Sequence, residues 1–584
     1  MKNKFSLKII LLAAAVISTW SACKRAFDIQ PGTELDASQM YRNVYDADAA
    51  VMGIYGKFMS VADRYVILNE LRADLLEYTN NADEYLRQIS THSAKADNPY
   101  ASPRPFYELV LNCNDVLKNF LIMKEKNMMK EVEFNQRYSD IACLRSFLYL
   151  QLGIHYGDEV RYVTDPLETV DAIKDESRFP KIKFDDLLDS LIRFTEKIPF
   201  RDPYPTGSTL NITLDGSPTA TFFINKKCLL GDLYLWKGSY TQAATYYRQV
   251  METATVGSQG TTYYTRYKVG WSTELNTYVA YTRGGDASSL NYTDGWRLNF
   301  EGGYDDRYTR EWIWAIPYDS RFQPDNPLIK LFSPVGGSYL VKPSQEIIDN
   351  WKNQTQRPVT ITGTGGGIPY DARGPLSVRN FGGQLVAMKF LYNYLNYATG
   401  VPVNPLVKNG KWYLFRQTHL HLRFAEATNR DGYHRLAYGF INSGIPGAYP
   451  APPNTPNVTP YQNTLAYPAP YNFDARNGDI PNFRADWYRH IGIRSRALLM
   501  EDAVPAGSDS VTYIENSLIN EGALENAFEG TRWADLLRVA RRRNDPAFLA
   551  NKVYSKLIKD GVPDAEAVKQ RLMDKQNWYL PFKL

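Results

Sequence analysis

Two histidines, His419 and His421, stand two residues apart, with Glu426 following. A zinc site needs ligands converging on one point from recognisable spacings. This trio has no such spacing, and no His-Glu-x-x-His pattern occurs in the chain. The glycine-rich run "ITGTGGGIP" (361–369) lacks Lys-Ser/Thr and a following helix, so it reads as a loop and not as a phosphate cradle. No Gly-x-Ser-x-Gly elbow is present. Acid pairs such as Asp185-Asp186 and Asp305-Asp306 are ordinary on surfaces. Glycoside hydrolysis requires two carboxylates facing across a cleft, and no motif marks such a pair. The expectation is therefore no catalytic residue, no metal and no cofactor.

Other charged residues sit where helices should be. Arg145 interrupts the apolar stretch "IACLRSFLYLQLGIHYGDEV" (141–160), which ends on His155, Tyr156 and Gly157. An arginine in such a stripe ordinarily pairs with a carboxylate or with helix C-terminal carbonyls. His155 reads as a packed or capping residue, and Gly157 as the helix stop. In "FEGTRWADLLR" (528–538), Glu529, Arg532 and Asp535 are spaced for a local ionic cluster, with Trp533 packing beside it. "RVARRRND" is the one dense basic run, and it reads as a helix end facing water.

The elements that must position these groups are mainly helical. "FDDLLDSLIRFTEKIP" puts Phe184, Leu187, Leu188, Leu191, Ile192 and Ile198 on one stripe, stopped by Pro199. "SPRPFYELVLNCNDVLKNFL" carries a similar stripe behind its prolines. In "LLGDLYLWKGSYTQAATYYRQV", Gly231, Tyr234, Gly238, Tyr240, Ala243 and Tyr247 fall at tetratricopeptide offsets. Ala425, Gly432 and Ala437 repeat the small-residue spacing more weakly. Such pairs bury a core only by stacking, so 138–157, 184–198 and a helix near 523–543 are the expected neighbours. Long stretches at about 200–220, 255–310, 352–380 and 443–486 are rich in Tyr, Gly, Pro, Asn and Asp and read as loops. "EWIWAIPYDS" (311–320) reads as a strand.

The chain begins "MKNKFSLKIILLAAAVISTWSAC". A basic start, a short apolar run and small residues before Cys23 describe a secretory signal peptide over residues 1–22. Ser-Ala-Cys resembles a lipobox, with Trp20 replacing the usual aliphatic residue. Acyl chains on Cys23 would anchor the chain in lipid, at about 0.8 kcal/mol per buried methylene. Removing residues 1–22 takes away three lysines and no acid, leaving 64 basic against 63 acidic residues. That balance gives no reason to expect a nucleic acid partner. Cys113, Cys143 and Cys228 are an odd number in apolar helical patterns, so they read as buried free thiols. Tyrosine (42) outnumbers phenylalanine (26), which suits half-wet binding surfaces better than a hidden core.

Taken in order, several segments resemble the SusD/RagB outer-membrane lipoproteins of Bacteroidetes. They are "LRSFLYLQLGIHYGDEV", "EWIWAIPYDS", "LVKPSQEIIDNW", "LHLRFAEATNR", "IRSRA" and, most specifically, "ENAFEGTRWADLLRVAR". Asn526 departs from the usual leucine, and about fifty residues separate Asn442 from Ile493 where the family has almost none. The resemblance implies a mainly α fold with tetratricopeptide-like pairs and loop-rich segments. It implies a signal peptide (1–22), a tether (23–40), a helical region (41–255) and a second region (256–584) with a proline-rich excursion (443–486). It further implies a non-enzymatic lipoprotein at the outer membrane. Such a protein binds a glycan or oligosaccharide and passes it to a SusC-like TonB-dependent transporter. A peptide ligand, as in the RagB branch, and a glycan-degrading enzyme on the same scaffold are the alternatives. The family's ligand site maps to about 64–100 and 265–325. Sugars need aromatic faces for C–H groups and planar polar groups for hydroxyls. Within those segments Tyr100, Trp271, Trp296 and Tyr304, flanked by Arg72, Asp74 and Asn98, are the expected ligand residues.

Overall fold

The computed structural model of the protein describes residues 40–167, 179–200, 204–251, 299–300, 312–355, 370–455, 461–474, 492–497 and 499–584. Helix α1 (Val44–Met59) starts at Asn43, whose side chain accepts from the Tyr45 and Asp46 amides. A π turn at Ile67–Leu71 leads to strand β1 (Leu76–Tyr78) and helix α2 (Glu84–Ser90). Helices α3 (Arg104–Glu125) and α4 (Glu131–Tyr156) follow as an antiparallel pair. Gly157 ends α4 at φ +56°, and a Cβ there would lie 2.9 Å from the Tyr579 ring. Helix α5 (Phe184–Lys197) buries the whole predicted stripe, from Phe184 to Ile198.

Helices α6 (Lys226–Lys237) and α7 (Tyr240–Met251) are the first predicted repeat pair. Gly238 makes the turn between them in the left-handed region, at φ +81°. Gly231 lets them approach: a Cβ there would stand 2.3 Å from the Tyr247 ring. Strand β2 (Trp312–Tyr318) comes next, then β3 (Val341–Pro343) and α8 (Gln345–Lys352), whose cap is Ser344. A hairpin of β4 (Val378–Phe381) and β5 (Gln384–Ala387) precedes strand β6 (Gly410–Arg416). The second repeat pair is α9 (Gln417–Arg430) and α10 (His434–Ile441). The chain closes with α11 (Ser510–Asn526), α12 (Arg532–Arg543), α13 (Pro546–Lys559) and α14 (Ala565–Leu572).

Each helix packs on the next in a continuous stack: α3 on α4, then α5, α6, α7, α9 and α10. Each pair thereby buries the face its neighbour leaves open, as repeat architectures require. The predicted neighbours at 138–157 and 184–198 take their places in it. The single helix expected near 523–543 is instead two, α11 and α12. Phe528 (φ +74°) and Gly530 (φ +84°) turn the chain between them, which no continuous right-handed helix allows.

Two short antiparallel ladders tie distant segments together. β1 pairs β3, with Leu76 opposite Pro343. β2 pairs β6, from Trp312 opposite Arg416 to Tyr318 opposite Gly410, and every residue of both strands is buried. One hydrophobic cluster extends from Ala47 to Leu580, so residues 41–255 and 256–584 share a core. Cys113, Cys143 and Cys228 are buried free thiols within it. The described parts of the 443–486 excursion fold back on the repeat pairs. Arg248 donates to the Pro470 carbonyl at 2.8 Å, and the Tyr471 hydroxyl donates to Asp431 at 2.5 Å.

Candidate functional site

The charged motif residues are inside the molecule. Arg373 donates to Asp371, Glu521 and Glu525, and all four side chains are fully buried. Arg416 and Lys389 both reach Glu529, each at 2.7 Å. Arg494 pairs with Glu521 at 3.0 Å, and Arg538 with Glu426 at 2.6 Å. Burial pushes the Glu426 carboxyl up, but the Arg538 and Arg542 guanidiniums more than offset this and hold it down to about 2. Burial lowers the Lys389 ammonium to about 8, against the pull of Glu529.

Glu529, Arg532 and Asp535 do not form the local cluster expected from their spacing. Each has a separate partner: Glu529 takes Arg416 and Lys389, Arg532 takes Asp74, and Asp535 takes Arg538. The left-handed turn before α12 sends Glu529 toward β6, while Arg532 points back to the segment behind the π turn. Trp533 packs as expected, fully buried. The same turn aims backbone amides at one carboxylate. Gly530, Thr531 and Phe528 donate to Glu70 at 2.7, 3.0 and 3.2 Å. Burial pushes Glu70 up to about 8 although these amides oppose it. It is fully enclosed, so it holds the turn and meets no substrate.

Two further expectations, for Arg145 and for the basic run, are corrected by their contacts. Arg145 donates to the Asn114 side-chain oxygen at 2.7 Å and to the Thr164 carbonyl at 3.4 Å and lies over Phe194 at 4.2 Å, with no carboxylate or helix end as its partner among the described residues. Aromatic stacking and an amide oxygen satisfy its planar cation. The basic run at 541–543 does not simply face water: Arg542 and Arg543 both pair with Glu515 from α11. The excess of positive charge at the end of α12 thus binds two helices together. His419 and His421 take no part in a metal-like cluster among the described residues. His419 accepts from the Arg416 amide at 2.9 Å, and His421 bonds the Phe440 carbonyl at 2.7 Å.

The predicted ligand residues separate into three groups. Arg72, Asp74 and Asn98 are core residues, at most 1% exposed. Arg72 donates to the Trp578 carbonyl at 2.7 Å and to His155 Nδ1 at 3.2 Å, and it lies over Trp533 at 4.1 Å. Asp74 receives both arms of Arg532 at 2.6 Å. Asn98 caps the turn holding Tyr100 and donates to the Tyr85 carbonyl and to Gln88. All three side chains are enclosed by protein partners. Their hydrogen bonds hold the shape of the segment. Tyr100 is half-buried at the surface. Trp271, Trp296 and Tyr304 lie outside the described residues.

What the 64–100 segment does present is an aromatic and cationic surface. Tyr85 is 39% exposed, and Tyr78 and Tyr100 are half-buried. Arg87 lies over the Tyr78 ring at 5.6 Å, and Arg64 over Tyr100 at 6.0 Å. Arg64 is itself fixed by the carbonyls of Pro99 and Tyr100, at 2.7 and 2.8 Å. Burial raises the Tyr78 and Tyr100 phenols, so both stay protonated and can donate as well as accept. Tyr78, Tyr85, Arg64 and Arg87 were not singled out from the sequence. Their one signal was membership of the same interval.

No protein-family model matches the sequence, and no curated protein matches it. Solved structures do. A SusD superfamily protein from Bacteroides vulgatus aligns over 93% of this chain and 96% of its own, with 13% identity and a TM-score of 0.57. One from Bacteroides thetaiotaomicron aligns over 93% and 98%, with 17% identity and a TM-score of 0.54. Surface glycan-binding protein A from Bacteroides uniformis aligns over 92% and 96%, with 15% identity and a TM-score of 0.53. The chain therefore shares the fold of these proteins over most of its length.

Proposed function

We propose that this chain is a member of the SusD/RagB group that binds a glycan or oligosaccharide and delivers it to a SusC-like TonB-dependent transporter. Alignment over nearly the whole length of a surface glycan-binding protein is the observation that carries this reading. The tyrosine surface at 78–100 supports it, because aromatic faces and hydroxyls are what sugars pack against. The protein acts as a binder and not as an enzyme: the carboxylates of its motifs are closed inside ion pairs, away from any substrate. It is anchored in the outer membrane through a lipid on Cys23 and faces the cell exterior. Tyr100 and the loop aromatics Trp271, Trp296 and Tyr304 contact the ligand.

Binding and turnover are measured on one panel of neutral and acidic glycans and peptides. The expected result is saturable binding of a glycan, no peptide binding and no product. Peptide binding alone would move the chain to the peptide-binding branch, and product formation would make it an enzyme. Cys23→Ala should release the protein from the membrane fraction. Persistence there with palmitate labelling would contradict the anchor, and full protection from protease on intact cells would place it in the periplasm.

A further inference from the structure

Away from the tyrosine surface, a cleft of about 390 Å³ opens between α8, α11 and α13. That volume lies in the range of small-molecule sites. Its walls carry three side-chain amides, Asn516, Asn520 and Asn551, and the Ser555 hydroxyl. Asn516 keeps a carbonyl oxygen with no hydrogen-bond partner, an unusual state for a buried polar atom. Phe548 supplies one apolar wall, with the Arg543 guanidinium 4.9 Å from its ring centre.

Of the cations lining the cleft, Arg543 has a carboxylate partner, whereas Lys552 has none within ion-pair distance among the described residues. The cleft's one lining carboxylate, Glu346, already accepts from Lys559 at 2.9 Å and Ser555 at 2.7 Å. Behind Arg543, the Glu515 carboxylate takes Arg430, Arg542 and Arg543, and Arg542 also reaches Glu426 at 2.9 Å. Lys552 donates at 3.0 Å to the Asn520 amide oxygen, a neutral partner. Burial lowers its ammonium, and Arg532 adds to that. A partly buried ammonium held only by an amide oxygen is stabilised by an incoming anion. Amides and a hydroxyl around it match a ligand rich in hydroxyls.

We infer that this cleft binds a hexuronic acid residue, with the carboxylate at Lys552 and Arg543 and the hydroxyls at the asparagines and Ser555. The site is distinct from the tyrosine surface and independent of what that surface recognises. The full-length protein is titrated with glucuronate, and with glucose and acetate as controls, by ligand-observed saturation-transfer NMR. Lys552→Gln and Asn520→Ala are compared with the parent, and thermal melting checks their folding. The expected result is glucuronate binding that neither glucose nor acetate displaces at equal concentration. It should weaken at least fivefold in each variant with melting unchanged. Absence of glucuronate binding by the parent would overturn the site, as would equal binding in both folded variants. Equal competition by acetate would also overturn it, by reducing the cleft to a simple anion trap. A Trp271→Ala/Trp296→Ala protein should keep its glucuronate response, so failure here and failure of the glycan-uptake reading remain separable.

Discussion

The molecule contrasts a buried charge junction with an exposed tyrosine surface. At the junction, Arg373, Arg416, Lys389 and their carboxylates are fully enclosed, and each cation has at least one anion within 3 Å. At the surface, Tyr78, Tyr85 and Tyr100 are partly exposed, with Arg87 lying over the Tyr78 ring and Arg64 over the Tyr100 ring. Both regions hold the residue types that usually draw attention as active sites. Burial decides between the roles. A closed ion pair costs desolvation and fixes structure, whereas a half-wet aromatic ring keeps its binding energy for a ligand.

The contrast breaks most severely if the junction can be opened cheaply. Arg373→Ala leaves the buried Asp371 carboxylate without its ion-pair partner, and leaves Glu521 to Arg494 and Glu525 to Arg416. It should cost about 3–5 kcal/mol in denaturant unfolding. A loss below about 1 kcal/mol would mean that the network is not what holds α11 to the 371–373 turn.

Acid should attack the same region. Glu426 has its carboxyl depressed to about 2 by Arg538 and Arg542. Its contribution is complete above the unfolded value of about 4.5 and disappears as pH falls from there toward 2, in total about 3 kcal/mol. His421 is held neutral by burial, its value lowered to about 3. The unfolded chain protonates it near pH 6.5, so stability starts to fall below that pH, by about 2 kcal/mol at pH 5 from this group alone. Unfolding curves at pH 7 and 5 test the sign, and stability that rises on acidification would contradict it.

A smaller effect is expected in the helix stack. Gly231→Ala forces a Cβ against the buried Tyr247 ring, whose hydroxyl is held by Asp232 at 2.6 Å. The two helices must part, at about 1–3 kcal/mol. The smallest stability change belongs to the exposed surface. Tyr85→Ala should move the melting temperature little, since surface substitutions commonly stay within about 0.5 kcal/mol. A large drop would make that ring structural and erase the distinction between the regions.

Periodicity in the sequence was enough to place α5, the α6–α7 pair and the stop at Gly157, because apolar spacing and glycine geometry are local signals. Strand β2 was legible from its aromatic alternation. Its partner β6 was not singled out, since "GKWYLFR" is a short unbroken apolar run between Lys411 and Arg416 and shows no alternation of its own. The ion pairs were misread for a related reason. Spacing in "FEGTRWADLLR" shows which charges are near in sequence, yet Arg532 finds Asp74 some 458 positions away. Arg72 and Asp74 were placed at the ligand for being polar in an aromatic segment, and only tertiary packing shows that they face inward.

The central claim is that glycan affinity resides in the loop aromatics and not in the charged motifs or the helix stack. Calorimetry of a bound glycan with the parent, Trp271→Ala/Trp296→Ala and Trp236→Ala tests it most directly. Trp236 packs edge-on to Phe184 at 5.5 Å within the stack. The double variant should lose at least about tenfold in affinity, about 1.4 kcal/mol, with its melting temperature nearly unchanged. Trp236→Ala should melt earlier and bind normally. Unchanged affinity in a folded double variant would contradict the claim.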